Sequence, residues 1–238
     1  MILIPSSLKL FKKHTWEDNY FIFIFFGKIS CKLFCIKVEY QHLGDADLSK
    51  QYLVAANHRS WFDQISMMGY LPLRTHFLAK AAYFNIPFLK YALKNYEVIS
   101  VDNKRLSPKT RSNLESYIDR GDSVTYFIEG TRGSGRSLLP FKKGIFRMAA
   151  KTGLPVLPTY ILGSEDCLSK KNTLLSIKGG DLVVITGKPV YFTSKDLDKQ
   201  IERFETNYTL AYSSLYDEFE VYKVQEAQQF VFAGSKMF

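Results

Sequence analysis

Cysteine is scarce. Cys31, Cys35 and Cys167 are the three among 238 residues, which excludes a paired disulfide framework and points to a reducing setting. No Cys-x-x-Cys and no spaced Cys/His cluster occurs, so no metal site is expected. Histidine is nearly as rare: His14, His42, His58 and His76 are the four candidates for any chemistry that needs an imidazole. No apolar run approaches the roughly 20 residues of a membrane-spanning helix. The most apolar stretch, Tyr20 to Phe26, is interrupted by Gly27 and Lys28. It lies behind Lys9, Lys12, Lys13, Glu17 and Asp18 and precedes no small-residue cleavage site, which argues against a secretory signal. There is no Gly-x-Ser-x-Gly, so the nucleophile turn of an α/β serine hydrolase is missing.

What is present is enough to fold. The chain is 46% hydrophobic and 23% charged, which excludes disorder and allows one large domain. Past residue 36, strand-like runs alternate with helix-like ones, the pattern of an α/β fold with a largely parallel or mixed central sheet covered by helices. Strands are expected near 36–41, 51–56, 75–79, 96–101, 123–128, 154–161 and 181–186. One helix is expected from Pro108 to about Arg120, with Ser107 as N-cap and Gly121 past its end, and another over about 142–152, stopping at Gly153. Residues 36–192 read as one domain. The run Tyr20–Phe26 reads either as a buried core segment or as an aromatic, Lys-flanked helix lying in a membrane interface, and residues 1–35 are expected to form a membrane-associating segment. In the tail, 193–238, Leu197, Ile201, Phe204, Tyr208, Leu215 and Phe219 recur at helical steps, predicting an amphipathic helix packed on the domain.

The net charge of +9 is local. Between Thr131 and Lys151 stand Arg132, Arg136, Lys142, Lys143, Arg147 and Lys151 without an acidic residue, whereas eight acidic residues face four basic ones from Asp196 onward. A cationic run that starts in a Gly-rich loop suits small phosphates or anionic lipid. Nucleic acid is not expected, because only Phe141 and Phe146 are placed to stack and no binding module matches. Residues 130–137 fall one residue short of a Walker A loop, but Pro140 would break the helix such a loop must open.

Two polar turns carry the chemistry. Asn57-His58-Arg59-Ser60-Trp61-Phe62-Asp63 follows the strand at 51–56, and Glu129-Gly130-Thr131-Arg132 follows the strand at 123–128. Open α/β sheets bind ligands along the edge where these strands end. His58 and Asp63 would lie about 140° apart on a continuous helix. They can pair only across a strand-turn-helix break, with Ser60 as the expected helix cap and Asp63 in the first turn. Gly130 allows close backbone approach, Arg132 can hold a phosphate through paired N–H bonds, and Glu129 can bond a hydroxyl or fix that guanidinium. Arg59 reads as a surface residue, Trp61 as core or as lining an acyl site, and Cys31 and Cys35 as packing residues. His14, His42 and His76 read as structural or solvated, with no acidic partner at a useful spacing.

NHRSWFD at 57–63 and FIEGTR at 127–132 resemble the NHx4D and FPEGTR signatures of the glycerolphosphate and lysophospholipid acyltransferase superfamily. Phe77-Leu78-Ala79-Lys80 with Pro87-Phe88, and Leu154-Pro155-Val156-Leu157-Pro158, are similar to two further blocks, in the family's order. Within the superfamily the chain is most similar to bacterial 1-acyl-glycerol-3-phosphate acyltransferase-like proteins. Two departures stand out: Ile128 replaces the proline of the second signature, and Asn103 occupies the place of an arginine associated with acceptor phosphate, leaving Lys104 or Arg105 to replace it.

The resemblance implies an O-acyltransferase of phospholipid synthesis or remodelling, associated with the cytoplasmic face of a membrane. It would use acyl-CoA or an acyl carrier protein as co-substrate, a lysophospholipid as acceptor, and no cofactor. His58 and Asp63 would be catalytic. Glu129, Gly130, Thr131, Arg132, Asn103 and Arg105 would bind the acceptor, and Arg136, Lys142 and Lys143 would meet the donor or the membrane. A non-catalytic phospholipid-binding protein of the same fold and an acyl thioesterase remain as alternatives.

Overall fold

The structure, a computed structural model, describes residues 16–101, 107–169 and 176–234. Seven strands form one sheet: β1 (Ile36–His42), β2 (Leu53–Ala56), β3 (Thr75–Lys80), β4 (Ile99–Val101), β5 (Ser123–Phe127), β6 (Val156–Leu162) and β7 (Gly180–Thr186). Their order is β1-β7-β6-β2-β5-β3-β4. Only the β6–β7 pairing is antiparallel. The sheet is therefore mixed. Strands β6, β2, β5, β3 and β4 run one way, so the carboxyl ends of β6, β2 and β5 lie side by side and their outgoing loops share one edge.

The helices are α1 (Trp16–Leu33), α2 (Phe62–Tyr70), α3 (Pro87–Asn95), α4 (Pro108–Asp119), α5 (Gly144–Thr152), the short α6 (Ser164–Cys167) and α7 (Leu197–Gly234). All four residues of β2 are buried, and they alternate between two cores as a period of two requires. Leu53 and Ala55 join the face built with α4, α5 and α7, while Val54 and Ala56 join the face built with α1, α2 and α3. Local rules hold where expected. The Ser107 side chain accepts from Thr110 N, Pro108 opens α4, and α5 ends at Gly153 with φ +74.

Four expectations are modified. The strand expected from 96 begins only at Ile99, because Tyr96 N still bonds Ala92 O and Glu97 takes φ +50 to close α3. The strand expected from 51 begins at Leu53; Tyr52 N bonds the Ser123 hydroxyl instead of a ladder partner. The apolar run Tyr20–Phe26 divides between its two readings. Phe23 packs edge-on to Tyr96 with centroids 4.4 Å apart, whereas Phe21, Phe25 and Phe26 are more than half exposed. Gly27 sits where α1 crosses α2: a Cβ there would meet Gly69 N at 2.6 Å, so the glycine that interrupts the run is what lets the helices touch. Cys31 is buried as expected, but Cys35 is exposed, because it closes α1 at φ +54.

Candidate active site

Where β2 ends, Asn57 continues its ladder with a side chain. Its Nδ2 donates to Ile161 O and its Oδ1 accepts from Ile161 N, both at 2.8 Å. Its own N–H donates to the Tyr208 hydroxyl at 2.9 Å, and that hydroxyl donates to Thr159 O at 2.6 Å. The turn that follows starts from a rigid point.

His58 leaves this point with Nδ1 2.7 Å from Asp63 Oδ2. The same oxygen accepts from Arg59 N at 2.5 Å and Ser60 N at 2.8 Å. One buried carboxylate oxygen thus folds the turn and orients the ring. The expected cap is partly replaced. Ser60 Oγ accepts from Phe62 N at 3.2 Å but gives its own proton to Leu168 O at 2.8 Å, and Asp63 reaches backward to bind the turn amides. A carboxylate can only accept, so Nδ1 carries the proton and Nε2 is the basic nitrogen. The ring stacks on Phe127 with centroids 4.0 Å apart, and its side chain keeps 19% exposure.

Glu129 and Arg59 hold the second turn against the first. Arg59 is fully buried, which overturns its reading as a surface residue: its guanidinium donates to Glu129 Oε2 at 2.9 Å and to Ser137 O at 3.0 Å. Glu129 Oε1 accepts from His58 N at 3.0 Å, and Oε2 also accepts from Leu139 N at 2.8 Å. The guanidinium that Glu129 fixes is therefore that of Arg59, not Arg132. Gly133 is required by this pair. Its N–H donates to His58 O at 2.8 Å, and a Cβ there would lie 1.7 Å from Arg59 Nη1. No local signal could have found Arg59 or Gly133, because their partners lie 70 or more positions away.

Arg132 is half-buried and lies over the Trp61 ring, 5.1 Å from its centroid, so both motifs meet at one edge. Gly130 turns at φ +67 beneath the Lys142 side chain, and Thr131 is exposed. The cationic run gains counter-ions from distant segments: Arg136 pairs with Asp217 and also lies over Tyr216, Lys143 pairs with Asp198 at 2.7 Å, and Lys151 pairs with Glu115 at 2.6 Å. Asn103, Lys104, Arg105 and His14 lie outside the described residues.

A second His–Asp pair lies at the opposite edge, at the start of β3 and β5. His76 Nε2 is 3.1 Å from Asp122 Oδ2, so an acidic partner exists 46 residues away. The imidazole is fully buried and stacked on Tyr117. Access, not pairing, separates it from His58. Burial raises the Asp122 carboxyl, but the His76 hydrogen bond and the charges of His76, Arg120 and Arg74 outweigh it and hold the group below its ordinary value. A depressed native pKa stabilises the fold above the unfolded pKa of about 4, and that contribution disappears as pH falls through the native one. Urea midpoints of wild type and Asp122→Asn should thus differ near neutrality and converge below about pH 4. Glu129→Ala strands a buried guanidinium and should cost about 3–5 kcal/mol by urea unfolding, part of which Arg59→Leu/Glu129→Leu recovers.

A family model described as Acyltransferase matches residues 35–162. The chain is 31% identical over 202 residues to a chloroplastic 1-acyl-sn-glycerol-3-phosphate acyltransferase of Brassica napus, covering 83% of this chain and 57% of that protein. It is 30% identical over 168 residues to the 1-acyl-sn-glycerol-3-phosphate acyltransferase of Salmonella typhimurium, covering 69% of this chain and 66% of that protein. It thus spans less than two thirds of the length of either relative. The crystal structure of the 1-acyl-sn-glycerophosphate acyltransferase PlsC from Thermotoga maritima superimposes with a TM-score of 0.71 at 23% identity, over 88% of this chain and 85% of that one, and shares its fold. With a family model matched over more than half its length and these relatives beside it, the chain belongs to the acyltransferase family.

Proposed function

We propose that this chain transfers a fatty acyl group from the thioester of acyl-CoA or an acyl carrier protein to the free hydroxyl of a lysophospholipid, 1-acyl-glycerol-3-phosphate first among them. The 2.7 Å contact between His58 Nδ1 and Asp63 Oδ2 carries the reading, and similarity to the two named relatives supports the acceptor. His58 Nε2 takes the proton of the acceptor hydroxyl while its oxygen attacks the thioester carbonyl. The C–O bond forms, the tetrahedral oxyanion collapses, the C–S bond breaks, and the imidazolium returns the proton to the departing thiolate. Asp63 keeps the tautomer and steadies the imidazolium. No cofactor enters this balance.

Arg132, beside the exposed Gly130 and Thr131, receives the acceptor phosphate in this reading. Glu129 acts from behind the site, holding His58 N and Arg59. Lys142 and the ion-paired Arg136 and Lys143 face the donor phosphates or the lipid surface. Solvent-exposed pairs such as theirs are weak and exchange readily for phosphate.

The membrane surface is the second partner we propose. Among the described residues no helix is long and apolar enough to cross a bilayer. The exposed face of α1 carries Phe21, Ile22, Phe25, Phe26, Ile29 and Leu33. A groove lined by Phe25, Lys28, Ile29, Lys32, Cys35 and Lys37, among others, adjoins it. Apolar side chains rimmed by lysines suit a helix that lies on anionic lipid.

Purified protein mixed with oleoyl-CoA and lysophosphatidic acid should release free thiol, and His58→Ala should lower kcat on the order of 10²- to 10⁴-fold, with Asp63→Asn falling in the same range. Thiol release without acceptor would instead identify a thioesterase, and no release a binding protein. Lys28→Glu/Lys32→Glu should weaken sedimentation with phosphatidylglycerol vesicles while leaving the melting temperature unchanged; equal sedimentation would sink the membrane proposal.

A further inference from the structure

Just past Ala56 the ladder between β2 and β6 changes character. Leu53 N donates to Pro155 O at 3.0 Å, and parallel strands repeat such a bond at every second residue. With Leu53 opposite Val156 and Ala55 opposite Pro158, the same spacing aims Asn57 N at Thr159 O. The Tyr208 hydroxyl of α7 stands between those two groups. It accepts from Asn57 N at 2.9 Å and donates to Thr159 O at 2.6 Å, so two bonds through a side chain take the place of one ladder bond. Asn57 and Thr159 are fully buried and Tyr208 is 2% exposed. Burial pushes the Tyr208 phenol well above its ordinary value, so the hydroxyl keeps the proton that it gives to Thr159 O. The Asn57 side chain then spans the strand ends through Ile161 N and O. His58 is the next residue.

We propose that Tyr208 is a positioning residue for His58, its hydroxyl wedged between the ends of β2 and β6 to set where the His58 turn begins. The kinetic consequence rests on the acyl-transfer reading; the placement of the His58 ring rests on geometry. Helical periodicity accounts for the Tyr208 ring in the core, but it gives no reason for the hydroxyl. The ring is itself held on several sides: Phe141 meets it edge-on with centroids 5.3 Å apart, Tyr160 lies at 4.5 Å and Phe204 at 5.8 Å. Its neighbours on α7 reach the same two turns. Glu205 Oε1 accepts from Phe141 N at 3.2 Å in the second loop, and the Tyr212 ring lies 5.8 Å from the Arg59 guanidinium in the first. Removal of the hydroxyl would leave Asn57 N and Thr159 O buried without this partner, which is costly. Closing on each other restores a bond but draws the start of the turn toward β6. That moves His58 against Phe127, on which its ring stacks with centroids 4.0 Å apart. A general base tolerates little displacement, since a misplacement of about 1 Å can cost about a hundredfold in rate.

The test uses the full chain, labelled in histidine, with the His58 ring resonances assigned by their loss in His58→Ala. Tyr208→Phe keeps the ring and deletes the hydroxyl. The His58 resonances should move, because the ring current of Phe127 reads small displacements, and kcat should fall about tenfold or more with KM for oleoyl-CoA and lysophosphatidic acid unchanged. Phe141→Leu keeps the hydroxyl but loosens the ring that carries it. It should move the same resonances by less, which keeps the test open if Tyr208→Phe fails to fold. Phe192 packs on Phe146 and Phe204 with centroids 5.0 and 5.7 Å apart, in the same core but away from the hydroxyl. Phe192→Leu should therefore lower the melting temperature while leaving kcat within about twofold of wild type. Wild-type kcat in Tyr208→Phe, unmoved resonances in both the Tyr208 and Phe141 variants, or a kcat in Phe192→Leu that falls as far as in Tyr208→Phe would each overturn the proposal. A wild-type chain without thiol release would overturn the acyl-transfer reading and leave the resonance comparison intact.

Discussion

Between Arg59 and Glu129 runs a buried ion pair that joins the two loops of the site. A guanidinium and a carboxylate taken out of water are stable only when nearly every donor and acceptor is matched. Glu129 accepts from Arg59, His58 N and Leu139 N, and Arg59 also donates to Ser137 O. The bonds from Arg59 and His58 N to Glu129 and from Arg59 to Ser137 O tie one turn to the other, and Leu139 N folds the second loop onto the same carboxylate. The pair thereby converts two strand ends into one rigid edge, and Gly133 is small because the guanidinium occupies the space a side chain would need.

Asp63 performs a similar double task at shorter range. One oxygen gathers two turn amides and the His58 ring, so the bonds that shape the loop also set the imidazole. Stability and chemistry share atoms here, and loss of Asp63 should disturb both. The His76–Asp122 pair offers the contrast: comparable chemistry with no access serves the fold. Position on the sheet decides which pair can act. His58 follows a strand that ends among β5, β2 and β6, whereas His76 lies near the start of β3.

The cationic run shows how tertiary contacts revise a charge count. In the linear chain, residues 131–151 hold six cations and no acid. In the folded chain, α7 supplies Asp198 and Asp217 and α4 supplies Glu115 to three of them. The acidic tail and the basic middle are complementary parts of one surface. Arg132 and Lys142, which border the His58 turn through Trp61 and Gly130, remain at the site.

The elements and the edge were legible in the order of residues alone. Buried strands announce themselves by short apolar runs, helix ends by Ser107 and Gly153, and the two motif turns by where they fall after 51–56 and 123–128. These are local signals, carried by propensity and period. Which charges are buried, and which partners they take, follows from folding in three dimensions. Arg59 reads as surface until Glu129 arrives from 70 positions away, and Gly27 reads as an interruption until Gly69 touches it. Such pairings depend on which strand ends become neighbours in space, and that order, β6-β2-β5, is a long-range result that local propensity and period do not encode.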